Sequence, residues 1–226
     1  MYRILNPAEE PKGLILTTGY KSPFRQEVFA YRKLSHDIYI FARKTGILLK
    51  NAVRVAENIP TFLDVLNEFF MSKKPKYDLL QMLVDDPLRY VSGDDLYDFA
   101  SNYIADINET GLFYDWGKEH YLWEFIWEMI RNYEFPNMPS RMDSLFLFDN
   151  KKNALDFKAQ YRDENYHLVD VSLLDGTTQS FDMNWFSEVP SDIPLAEVEE
   201  YARNYWSQVH TQKPIIEILF QGNYTW

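Results

Sequence analysis

Pro214-Ile215-Ile216-Glu217-Ile218-Leu219-Phe220-Gln221-Gly222 is the stretch on which the reading of this chain turns. Branched and aromatic residues fill it, so residues 215–220 read as a strand, with a turn at Gly222 and room for a continuation beyond it. Glu217 is the one carboxylate inside this apolar run. A charge there must be solvated in a cleft, paired with a cation, or put to chemical use, because burying it alone is costly.

Working outward, residues 2–5 read as a short strand, 13–18 as another or a loop edge, and 38–42 as a third, being aromatic and β-branched. From Ile47 the pattern turns helical. Ala52, Val53 and Ala56 predict a helix that stops before Pro60, and Thr61 can cap a second with Phe62, Val65, Leu66, Phe69 and Phe70 as its stripe. Ser92 and Asp95 resemble a capping box ahead of Leu96, Phe99, Ala100, Tyr103 and Ile104. A helix over about 120–133 buries Leu122, Phe125, Ile126, Met129 and Ile130, and carries Glu124, Glu128 and Arg131 near one another. Pro136 and Pro139 end it. Then come a strand at 144–148, a helix at 150–160 and a strand at 166–174 that closes in an Asp175-Gly176 hairpin turn. Ser191 or Asp192 caps a last helix, with Pro194 near its start and Leu195, Val198, Ala202, Tyr205, Trp206 and Val209 as its buried stripe.

Strands at both ends and helices between predict an α+β fold. The expected organisation is a single domain over 1–226, with a helical insertion at about 45–135 inside a core made of 1–44 and 136–226.

With 46% apolar and 17% aromatic residues the chain can build a real core. It has no cysteine, which removes disulfides, thiolate metal sites and a cysteine nucleophile. No apolar run is long enough to cross a membrane and no signal-like core opens the chain, so a cytoplasmic location without membrane contact is expected. The net charge of −11 is unevenly spread: residues 1–54 hold ten Lys/Arg against four Asp/Glu. That basic stretch either meets phosphates or pairs with the acidic remainder. The four histidines lack zinc-ligand spacing, and neither a phosphate-binding glycine loop nor a nucleophile elbow occurs. No metal site is expected. Arg141, in Pro139-Ser140-Arg141, can present its planar fork to a phosphate or to a carboxylate, Glu124 or Glu128 being the protein candidates.

Trp123-Glu124-Phe125-Ile126-Trp127-Glu128-Met129-Ile130-Arg131, Phe135-Pro136, Pro139-Ser140-Arg141, Ser144-Leu145-Phe146-Leu147 and Ala154 together resemble a family of bacterial and phage proteins of unknown function, related to the ADP-ribosyltransferase superfamily. The opening Met1-Tyr2-Arg3-Ile4 is similar to the start of those proteins. The resemblance implies an ADP-ribosyltransferase-like split β-sheet core with a long helical insertion. It also implies NAD as substrate, and Glu217 as the catalytic carboxylate that binds the nicotinamide ribose and stabilises the oxocarbenium-like charge. By the same resemblance Arg3 would hold the NAD phosphate or adenosine ribose. Arg141 would join that cleft, Ser144, Phe146 and Phe148 would wall the nicotinamide pocket, and Tyr2, Phe146 or Phe148 would stack on the ring.

Two departures from the superfamily pattern stand out. Leu147-Phe148-Asp149 stand where the superfamily keeps Ser-Thr-Ser, and Ile215 stands where arginine-modifying enzymes carry an acid or amide. The second disfavours transfer to protein arginine and leaves nucleic acid, other side chains or a small molecule as acceptor; the resemblance implies a toxin or phage-conflict effector modifying a nucleic acid or a protein, with an antitoxin or regulatory protein as a further partner. The alternative is a non-catalytic binding or interaction protein that keeps only the fold. It expects Glu217 paired with Arg131, Arg141 or Arg203, and a pocket filled by aromatics.

Overall fold

A computed structural model describes residues 1–6, 12–19, 23–72, 91–115, 117–190 and 192–226. They form a mixed α/β protein divided into two compact units. One comprises Met1–Ser22, Glu128–Val189 and Tyr201–Trp226; the other comprises Pro23–Trp127 and Pro190–Glu200.

The first unit carries a six-stranded antiparallel sheet. Its strands are β1 (Tyr2–Leu5), β2 (Leu16–Thr17), β3 (Leu145–Phe148), β4 (His167–Asp170), β5 (Ser172–Asp182) and β6 (Ile216–Thr225). The order is β2-β6-β3-β1-β4, with β5 lying along the other edge of β6. The Ile/Leu/Phe content of the quoted stretch places it at the centre: β6 pairs with β5, β3 and β2.

Register fixes which side chains share a face. Tyr2 opposes Phe148, Phe148 opposes Glu217, and Glu217 opposes Phe181, one row across four strands. Side chains alternate along a strand, so Phe146, Leu219 and Gln221 belong to that same face. The opposite face gathers Leu145, Leu147, Val171, Ile218, Phe220 and Tyr224 into one apolar cluster. Helix α7 (Lys151–Tyr161), capped by Asn150, contributes Ala154 and Phe157 to a second cluster with Phe148, Tyr2 and Ile4.

Gly176 and Gly222 face each other inside the β5–β6 pair. Each has a positive φ, +119° and +153°, and a Cβ on either would stand 2.1 Å from a backbone carbonyl oxygen of the other strand. Two expectations are corrected here. Gly222 is no turn and Asp175-Gly176 closes no hairpin; both glycines lie within long strands, where they permit an approach that side chains would block. The strand expected over 166–174 is two strands, with β5 running on to Asp182.

The second unit is helical: α1 (Pro23–Ala30), α2 (Arg32–Thr45), α3 (Leu49–Asn58), α4 (Leu63–Ser72) and α5 (Gly93–Thr110). The strand expected at 38–42 is part of α2. Its Leu34, Ile38, Phe41 and Ala42 are buried at helical spacing, and Gly46 ends it with φ +72°. Ser92 caps α5, accepting from the Asp95 amide at 3.0 Å. The side chains of the stripe expected on α4 (Phe62, Val65, Leu66, Phe69 and Phe70) and the expected cap Ser191 lie outside what is described. Helix α6 (Glu119–Glu134) buries Leu122, Ile126 and Ile130, spaced four apart. The short α8 (Asn184–Ser187) and α9 (Leu195–Trp206) complete the described helices.

Candidate functional site

Ser140 accepts from the Met142 amide at 3.1 Å and caps a 3-10 turn, Arg141–Asp143, which leads into β3. Ser144 donates its hydroxyl back to the Ser140 carbonyl at 2.6 Å. The turn is thus tied at both ends, and it directs Arg141 inward rather than into solvent. Arg141 is 6% exposed and Glu217 likewise 6%.

Arg141 Nη1 donates to Glu217 Oε1 at 2.6 Å and to Tyr205 Oη at 2.7 Å; Tyr205 Oη donates to the same Glu217 oxygen at 2.8 Å. The guanidinium carbon lies 4.2 Å from the Phe186 ring centre, 4.8 Å from that of Phe146 and 5.2 Å from that of Tyr205. Phe181 stacks on Tyr205 with ring centres 4.7 Å apart. Burial pushes the Tyr205 phenol well above its ordinary value, and Glu217's charge adds to this while Arg141 opposes it. The phenol therefore stays a proton donor to the carboxylate. Arg, Glu and Tyr form a mutually bonded, charge-assisted set beside aromatic rings.

Arg141, Phe146 and Glu217 are therefore brought together, with Phe148 and Tyr2 in Glu217's register row. Arg3 is not among them. It adjoins Tyr2 on β1 and so faces the other side of the sheet, where its guanidinium lies 6.0 Å from the Tyr224 ring centre. The expected convergence of Arg3 with Arg141 and Glu217 in one cleft is corrected by that alternation. Arg131 takes Glu128 at 2.7 Å, and Arg203 forks onto Glu134 at 2.9 to 3.0 Å. Ser144, buried, spends its hydroxyl on the turn.

Sequence reading missed two features. Spacing alone puts Tyr205 in an apolar stripe, although a buried tyrosine hydroxyl generally needs a partner. The second is an open groove of about 550 Å³ on the Glu217 side of the sheet. Pro136–Ser140, Asp143 and Arg131 wall it, and Thr177, Thr178, Gln179 and Gln221 line its sheet side. Arg131 Nη1 holds the wall by donating to the Met138 carbonyl at 3.1 Å. Among the described residues no group of three or more His, Cys, Asp or Glu can hold a metal ion, and no helix is long and apolar enough to cross a membrane.

These features define a mixed α/β protein with an antiparallel sheet, a buried Arg–Glu–Tyr centre and a polar groove beside it. Residues 66–226 match the family described as protein of unknown function (DUF2441), and the chain belongs to that family. A search of the curated proteins finds no match to it.

Proposed function

We propose that this chain is a non-catalytic binding protein in which Glu217 is a structural anion. The observation that carries this reading is the Arg141–Glu217–Tyr205 centre: buried, mutually bonded and boxed by Phe146, Phe181 and Phe186. A carboxylate that stabilises charge on a substrate must reach it, and this one is 6% exposed with its Oε1 held by both Arg141 and Tyr205. As arranged, the groove does not fit a dinucleotide either. Its one cation, Arg131, is engaged by Glu128, while Asp143 would oppose a diphosphate.

NAD-dependent ADP-ribosyl transfer is the competing reading. It is favoured by one feature, the meeting of Arg141, Phe146 and Glu217 on a single sheet face. It requires Glu217 to exchange Arg141 for a ribose hydroxyl. Titration with NAD, followed by nicotinamide release in wild type and Glu217→Gln, separates the two. The binding reading expects no release from either protein; release by wild type that Glu217→Gln abolishes would replace it with the transferase.

A further inference from the structure

The groove is bounded by a strand edge. Among the described residues, β5 pairs only with β6, leaving its other edge without a strand partner. Sheet edges in native proteins are usually protected by lysines, prolines, bulges or a covering element, because unpaired amides and carbonyls attract another chain. β5 is Ser-Leu-Leu-Asp-Gly-Thr-Thr-Gln-Ser-Phe-Asp, with neither lysine nor proline; its one register irregularity against β6 falls at Leu173–Asp175, ahead of the regular stretch from Gly176, and residues 174–178 are exposed.

Which backbone groups point outward follows from Gly222. Its amide donates to Thr18 Oγ1 and its carbonyl accepts from the Thr18 amide, both at 2.9 Å, on the β2 side of β6. The Gly176–Gly222 pair is therefore a non-hydrogen-bonded one, and Gly176 directs its N–H and C=O away from β6. By the two-residue period, Thr178 and Ser180 do the same. The Ser180 carbonyl is indeed taken from that side, accepting from Gln208 Nε2 at 2.8 Å. Thr178 lies inside the groove, between Thr177 and Gln179.

We infer that the groove receives an extended, basic segment of a partner protein, added as a strand to the outer edge of β5 at Gly176–Thr178. This rests on the binding reading above and names its partner. Strand addition draws its affinity from main-chain bonds and its selectivity from pockets for alternate side chains. Pro136, Met138 and Pro139 supply an apolar wall for such side chains. Charge sets the sign: Asp143 is exposed in the groove, Arg131 is neutralised by Glu128, and the chain carries −11. A lysine or arginine on the segment would meet Asp143. A second copy of this chain would set acid against acid.

The test is selection of a random linear peptide library displayed on phage against the full chain, followed by titration of synthetic winners. The expected winners carry Lys or Arg, slow amide exchange at Gly176 and Thr178, and weaken on added salt. Thr178→Pro removes one outward N–H at a place where an edge strand tolerates proline. It should lower affinity at least about tenfold with an unchanged melting temperature. No enrichment, equal binding by Thr178→Pro, or protection elsewhere overturns the inference, as does protection of these amides by raising the protein concentration alone, which would assign the edge to a second copy. Should Thr178→Pro fail to fold, the exchange pattern of the wild type decides. None of these outcomes involves NAD, so the strand-addition site can fail while the binding reading stands.

Discussion

Replacing Arg141 with Met leaves the Glu217 carboxylate buried with Tyr205 as its remaining donor in this centre. Breaking a buried pair from one side typically costs about 3–5 kcal/mol, because the surviving charge has lost its compensation. In a chain of this length each kcal/mol shifts the melting temperature by about 2–4 °C, so a fall on the order of 10 °C is expected. Chemical unfolding at neutral pH measures this. The pair Arg141→Met with Glu217→Leu should be far less damaged than the single variant, since both charges leave together. An Arg141→Met protein within about 0.5 kcal/mol of wild type at neutral pH would refute the reasoning.

Gly176→Ala or Gly222→Ala places a Cβ 2.1 Å from a carbonyl oxygen at a positive φ, and each should cost upwards of about 2 kcal/mol, read by thermal unfolding. Asp182 is fully buried and accepts from the amides of Asn184, Thr211 and Ile215 and from the Thr211 hydroxyl. Asp182→Ala leaves those donors without their acceptor and should cost at least about 3 kcal/mol, with Asp182→Asn milder. Burial first, then the neighbouring Asp106 charge, pushes the Asp37 carboxyl up to about 7, against the smaller opposing effect of Lys33. Its stability contribution is full below the unfolded pKa and is lost as pH rises through about 7. Asp37→Asn should therefore stabilise the protein above that pH by on the order of 1–2 kcal/mol after solvent screening, with the gain fading toward pH 4.

Local signals carried much of the architecture. The Ser92 and Asn150 caps, the apolar spacing of α6 and the branched, aromatic runs at 145–148 and 216–220 are each written in a few adjacent residues. Residues 38–42 fit either period because all five are apolar or aromatic; Leu34, one helical turn before Ile38, reveals the helix. Gly176 and Gly222 carry turn chemistry in isolation and become strand residues only because they meet across 46 positions of chain. Among the site residues, Glu217 was legible as a charge needing an explanation and Arg141 as a fork needing a carboxylate. Their pairing spans 76 positions and depends on the sheet register, which no local spacing encodes. Register also separates Arg3 from Glu217, two residues that linear reading had placed together.

The most direct test of the central claim, that Glu217 holds Arg141 and not a substrate, is a crystal structure of the protein grown with saturating NAD. The account expects the Arg141–Glu217 contact to persist near 2.6 Å, with no nucleotide against Phe146. Arg141 swung away, with a nicotinamide ring on Phe146 and a ribose hydroxyl on Glu217, would contradict it.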